Sequence, residues 1–172
     1  DRGMSDMFRH FLAGQIALMR EFTLLYAPNI NSYKRYAEGS FAPTAIAWGA
    51  DNRTLALRVV GHGHGMRVEH RVPGGDVNQY LAVAGLIAAG MYGIENKLEL
   101  EEMTLGNGYE ADKPHVPTSL REAADLFDKS EHARRIFGDD VVNHLVNAAR
   151  IEIRAFDSAI TDWERVRGFE RL

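Results

Sequence analysis

Residues 54–72 read TLALRVVGHGHGMRVEHRV, and this stretch decides the fold. Two β-prone runs, 54–60 and 66–72, flank Gly61-His62-Gly63-His64-Gly65, a turn rich in glycine. The second run alternates in polarity, the mark of a strand with one buried face. Successive strand side chains point to opposite sides, so Arg67, Glu69 and Arg71 project from one face. Working upstream, residues 45–48 form another short strand, and the intervening Gly49-Ala50-Asp51-Asn52 predicts a hairpin to residues 54–60.

Helices surround this sheet. Met4, Met7, Phe8, Phe11, Leu12, Ile16, Met19 and Phe22 recur at three- and four-residue steps, which predicts a helix over 4–22. It ends at Ala27-Pro28-Asn29, because proline disfavours helix at the residue before it. A polar loop follows, Asn31-Ser32-Tyr33-Lys34-Arg35. After the sheet, Pro73-Gly74-Gly75 breaks the strand, and Asp76 with Gln79 reads as a capping box for a buried helix over 77–100. That helix carries Gly85, Gly90 and Gly93, so close backbone packing is expected to offset their poor helix propensity. Ser119 with Glu122 opens a further helix to about residue 129, and residues 131–137 form another, stopped by Gly138. Asp139 and Asp140 suit the positive end of a long last helix, whose apolar stripe runs from Val142 through Phe156 to Trp163. Phe8, Phe11, Phe156 and Trp163 are read as core. The fold class is α+β: one unit over 1–172, with an antiparallel sheet of at least three strands packed with helices and a long C-terminal helix.

Composition narrows the function. The chain has 172 residues, 45% of them hydrophobic, and a net charge of −4, enough material for one core without a basic surplus for nucleic acid. It has no cysteine, which excludes disulfide frameworks, thiolate metal sites and cysteine nucleophiles. No run reaches the roughly 18–20 apolar residues of a membrane span, and a cytoplasmic protein is expected. The basic residues gather instead between residues 31 and 80: Lys34, Arg35, Arg53, Arg58, Arg67 and Arg71. A local basic region within an acidic chain suits a small anionic ligand. Glu69 between two guanidinium groups should stay ionised and offer a hard oxygen to a divalent cation, with the arginines gripping carboxylate or phosphate. The same pattern also fits a solvent-facing ladder of ion pairs. His62 and His64 in their glycine-rich turn read as mobile surface residues rather than a metal pair.

Four segments, in order and at matching spacing, resemble the catalytic domain of the glutamine synthetase family. They are Asn31-Ser32-Tyr33-Lys34-Arg35, Asp51-Asn52-Arg53 leading to Arg58, Arg67-Val68-Glu69-His70-Arg71, and Asn78-Gln79-Tyr80-Leu81-Ala82. The resemblance implies an ATP-dependent ligase that joins the γ-carboxylate of glutamate to an amine through γ-glutamyl phosphate. It assigns Arg35 to the substrate carboxylate and the transferred phosphoryl group, and Arg53, Arg58 and Arg67 to the phosphates of ATP. Glu69 becomes a ligand of Mg²⁺ or Mn²⁺, and Arg71 a second contact to substrate carboxylate.

In ammonia-using members a glutamate precedes Ala-Pro in the loop after the Asn-Ser-Tyr-Lys-Arg segment. Here Ser40-Phe41-Ala42-Pro43 places Phe41 there. Phenylalanine cannot pair with ammonium, but it can line a pocket for a carbon-bearing amine. The resemblance therefore implies an alkyl amine or polyamine as substrate. Tyr109 lies roughly where some members are modified, but its surroundings depart from theirs, and it is read as an ordinary loop tyrosine. The family's other metal ligands lie upstream of the matching segments. Together with the Asp1 start, this predicts the C-terminal part of a longer, ring-forming homo-oligomeric enzyme. The alternatives are an ammonia-using enzyme, a catalytically inactive anion-binding or assembly module, and a nucleic-acid binder using the arginines.

Overall fold

The structure, a computed structural model, describes residues 3–171. Its first helix, α1, spans Asp6–Tyr26. The Ser5 hydroxyl accepts from the Phe8 amide at 3.2 Å, and Asp6 lies at the positive end of the helix. Residues Ile30–Arg35, expected as a loop, wind into a short 3₁₀ helix. Strands β1 (Ala45–Ala50), β2 (Leu55–Val60) and β3 (Arg67–His70) lie side by side in that order.

β2 and β3 are antiparallel as expected, but β1 and β2 do not form a hairpin. They pair in parallel, with Trp48 opposite Leu57, Gly49 opposite Arg58 and Ala50 opposite Val59, so the sheet is mixed. Alternation reports which face of a strand is buried and is silent about its direction. Asp51 turns the chain in the left-handed region at φ 50°, and the short link returns alongside β1. It passes Gly49, where a Cβ would stand 3.0 Å from the Cβ of Asn52. Only a residue without a side chain leaves room for that return. The outer edge of β1 is covered in turn: Ile46 N–H donates to the Pro114 carbonyl at 2.7 Å and Val116 N–H to that of Thr44 at 2.9 Å. β1 is thereby buried along most of its length, as parallel strands usually are.

Helix α2 spans Gln79–Glu95 and starts later than expected. Its cap is Asn78, whose side-chain oxygen accepts from the amides of Tyr80 and Leu81. Asp76 is used elsewhere, accepting from the hydroxyl of Ser32 at 2.6 Å. The expected glycine packing is present: a Cβ on Gly93 would stand 2.0 Å from the carbonyl oxygen of His10 in α1, and one on Gly14 2.1 Å from that of Ala89. α2 is not buried all round, since Tyr80, Val83, Ile87 and Met91 are exposed.

Helices α3 (Leu120–Lys129) and α4 (Glu131–Phe137) are capped by Ser119 and Ser130. The long last helix is divided into α5 (Asp139–Ser158) and α6 (Asp162–Arg171). Thr161 accepts from the Glu164 amide, and the Glu164 carboxylate accepts from the Thr161 amide, a reciprocal cap that starts a new helix. The stripe leaves the core after Ile153, before the break: Phe156 in the last turns of α5 is already exposed, as are Ile160 and Trp163, the last by 70%. Phe22, Tyr26 and Phe127 from the helices join Leu57, Val59 and Val72 in the main core. Among the described residues no helix is long and apolar enough to cross a membrane.

Candidate active site

The register of β2 and β3 sets Arg58 directly opposite Glu69. Arg58 Nη1 donates to Glu69 Oε2 at 2.9 Å, and its Nε donates to Asp51 Oδ1 at 2.8 Å. The other carboxylate oxygen of Glu69 takes Arg71 Nη1 at 2.9 Å. Glu69 therefore sits between Arg58 and Arg71, not between Arg67 and Arg71 as the alternation alone suggested. The residue across an antiparallel pair stands closer than the next one on the same side of the same strand. The hydrogen bond from Arg58 holds the Glu69 carboxyl below the usual carboxylate range; partial burial opposes this and Arg71 adds to it. The guanidinium of Arg58 is held charged by its bonds to Glu69 and Asp51.

Arg71 ties three segments together. Besides Glu69 it donates through Nη2 to the Phe41 carbonyl at 2.8 Å and through Nε to the Arg53 carbonyl at 3.1 Å. Its side chain is 14% exposed, and the planar guanidinium is what allows three acceptors to be met in one plane. Phe41 itself is 63% exposed and holds φ 59°, a left-handed conformation uncommon for a bulky side chain. Arg35, at the end of the 3₁₀ helix, donates to the Val72 carbonyl, which also accepts from Tyr36 Oη at 2.8 Å. The structure thus links Arg58, Glu69 and Arg71 with the backbones of Phe41 and Arg53, and ties Arg35 to Val72, the residue after Arg71. Arg67 stands apart at the start of β3, where its Nη1 donates to the Gly65 carbonyl at 3.2 Å. Arg53 is exposed on the link between β1 and β2.

Three participants were assigned no role in the site from the sequence. Asp51 orients Arg58. His70 faces inward, both ring nitrogens buried without a hydrogen-bond partner and its ring centroid 4.7 Å from that of Tyr26. Burial pushes its pKa down to about 3, so it is neutral at pH 7. Strand alternation places His70 opposite to Glu69 and was the signal available. Tyr109 is the third: its hydroxyl donates to the Ala42 carbonyl at 3.0 Å, beside Phe41.

Guanidinium groups with uncommitted N–H donors around an ionised carboxylate can neutralise phosphate and carboxylate oxygens without covalent chemistry. A self-contained metal centre does not fit: among the described residues no three His, Asp or Glu side chains gather to hold an ion, and both oxygens of Glu69 are engaged by arginine. His62 and His64 lie exposed in their turn.

These features define an α+β catalytic domain that presents an arginine–carboxylate lattice on one edge of its sheet. Residues 1–167 match the glutamine synthetase catalytic domain, and the chain belongs to that family. It is 66% identical over 170 residues to the gamma-glutamylethanolamide synthetase of Streptomyces coelicolor, covering 99% of this chain and 37% of that protein. It is 45% identical to the type-1 glutamine synthetase 2 of Dictyostelium discoideum (97% and 33% covered). With the glutamate–isopropylamine ligase of a Pseudomonas species the identity is 44% (95% and 37% covered). A solved GmaS–ADP complex superposes with a TM-score of 0.87 at 28% identity, covering 99% of this chain and 41% of that one. The chain thus spans well under half the length of these relatives. The family membership read from the four motifs is borne out.

Proposed function

We propose that this chain forms part of an ATP-dependent carbon–nitrogen ligase that joins the γ-carboxylate of glutamate to an alkyl amine or polyamine. In the first step a carboxylate oxygen attacks the terminal phosphorus of ATP and ADP leaves, giving γ-glutamyl phosphate. In the second, the amine nitrogen attacks the acyl carbon, phosphate leaves, and the nitrogen gives up a proton. Both reactants of the first step are anions, so positive charge held in place lowers their repulsion. In this reading Arg53, Arg58 and Arg67 serve the phosphates of ATP. Arg35 holds the substrate carboxylate and then the transferred phosphoryl group, and Arg71 contacts substrate carboxylate while bracing the site. Glu69 would help hold a divalent cation, Mg²⁺ or Mn²⁺, through a carboxylate lone pair that Arg58 and Arg71 leave free, together with ligands from outside these residues. Residues 1–172 act as the C-terminal portion of a longer catalytic unit in a cytoplasmic, ring-forming homo-oligomer.

The observation that carries the choice of nucleophile is Phe41, displayed on the rim of the arginine cluster where ammonia-using members have a glutamate. An ammonium ion taken from water needs an anion beside it, and a phenyl ring offers apolar contact to methylene groups instead. Two of the three relatives named above carry alkyl-amine substrates in their names, which supports the same choice. The relative named glutamine synthetase favours ammonia as the second reading. The full-length polypeptide carrying this chain should be supplied with ATP, glutamate and a panel comprising ammonia, ethanolamine, isopropylamine and putrescine. Release of ADP matched by the mass of a γ-glutamyl amide, fastest with a carbon-bearing amine, is expected. Ammonia as the best substrate would overturn the proposal.

A further inference from the structure

We infer that Tyr109 is a positioning residue for the amine half of the site, setting where the Phe41 ring stands; this rests on the function proposed above. The turn that carries Phe41 is partly wired by itself. Ser40 N–H donates to the Ala37 carbonyl at 3.1 Å, the Ser40 hydroxyl lies 2.8 Å from the Arg35 carbonyl, and Ala42 N–H donates to that hydroxyl at 3.1 Å. These bonds shape the turn but leave its tilt against the sheet open. Two side chains from other segments set the tilt by seizing successive carbonyls. Arg71 takes that of Phe41 at 2.8 Å, and Tyr109 takes that of Ala42 at 3.0 Å.

Tyr109 is itself tied to the arginine-bearing sheet. The Gly108 amide donates to Thr54 Oγ1 at 2.7 Å, and Asn52 Nδ2 donates to the Gly106 carbonyl at 2.8 Å. Gly108 is the residue that lets this approach occur, since a Cβ there would stand 2.6 Å from the Thr54 carbonyl oxygen. A continuous path therefore runs from the link before β2, through Gly108 and Tyr109, to the peptide that follows Phe41. A side chain forced into the left-handed region keeps that conformation only where its surroundings hold it, and the two clamps do so.

Tyr109→Phe removes one hydroxyl and keeps the ring. In the full-length polypeptide we expect the KM for the preferred amine to rise roughly fivefold, the range of one lost neutral hydrogen bond. The KM values for ATP and glutamate and the kcat at saturating amine stay as in the parent. Hydrogen exchange over residues 36–44 speeds up while that over β2 does not. An unchanged amine KM with unchanged exchange, or a common rise in all three KM values, overturns the inference. The parent enzyme's preference across the amine panel tests the underlying function separately, because ammonia as the best substrate sinks that reading whatever Tyr109→Phe does. The exchange measurement decides the clamp in either case.

Discussion

Gly93→Ala tests how tightly α1 and α2 meet. The added Cβ would stand 2.0 Å from the His10 carbonyl oxygen and 2.6 Å from the Gly14 amide nitrogen. Both are backbone atoms, which cannot swing aside as a flexible side chain can. Relief requires the helices to part by roughly 1.3 Å at their crossing, and a gap of that size forfeits about half of each dispersion contact spanning it. Phe11 against Gly90, and Leu25 and Tyr26 against Gly85, lie in the same contact and would loosen with it. Overpacking of this kind costs about 3 kcal/mol at the upper end, while alanine returns about 1 kcal/mol of helix propensity. The net loss is about 2 kcal/mol, which for a chain of this length lowers the melting midpoint by roughly 4–8 °C. Thermal melts of the 172-residue chain followed by far-ultraviolet circular dichroism read this directly. Gly168→Ala, where nothing lies within 4 Å, serves as the control and should not lower the midpoint. A Gly93→Ala midpoint equal to or above that of the parent would refute the reasoning, because propensity would then outweigh contact.

Two further outcomes follow from buried and paired groups. His70→Leu removes two ring nitrogens that have no partner, so the urea midpoint at pH 7 should rise by up to about 1 kcal/mol equivalent; a fall would show that the ring's contact with Tyr26 matters more. Asp76 has its carboxyl held below the usual range, chiefly by the hydrogen bond from Ser32, so its contribution is complete above about pH 4 and is lost as pH falls through the depressed value. Asp76→Asn should therefore be less stable than the parent by a constant amount between pH 5 and 7, with the difference closing below about pH 4. A difference that stays constant down to pH 3 would remove Asp76 from the account.

The candidate site was half legible. Alternation in residues 67–71 placed Glu69 and Arg71 on one face, where they pair, and of the other basic residues in 31–80 Arg58 joins them while Arg67 stands apart and Lys34 lies over the Phe156 ring. The choice of Arg58 over Arg67 as the second partner of Glu69 was hidden, because it depends on the register between two strands. Tyr109 was read as an ordinary loop tyrosine, and its clamp was hidden for a like reason: its acceptor lies 67 residues away, and no local pattern marks a tyrosine that will meet a distant carbonyl. The long last helix failed for a local reason instead. Thr161 with Glu164 is a capping box in plain view, but the apolar spacing across it was read as one continuous stripe.

What the sequence by itself determined is mostly what neighbouring residues settle between themselves. Ser5, Ser119 and Ser130 open their helices because each hydroxyl reaches an amide three residues on. Pro28 and Gly138 stop helices through their own backbone limits. The four motifs carry the family without any fold. The tertiary structure alone decided the parallel pairing of β1 and β2, the partners of Glu69 and the two clamps on the Phe41 turn. Those depend on which distant groups the closed core brings within about 3 Å of each other, and a hydrogen bond is won or lost on that scale.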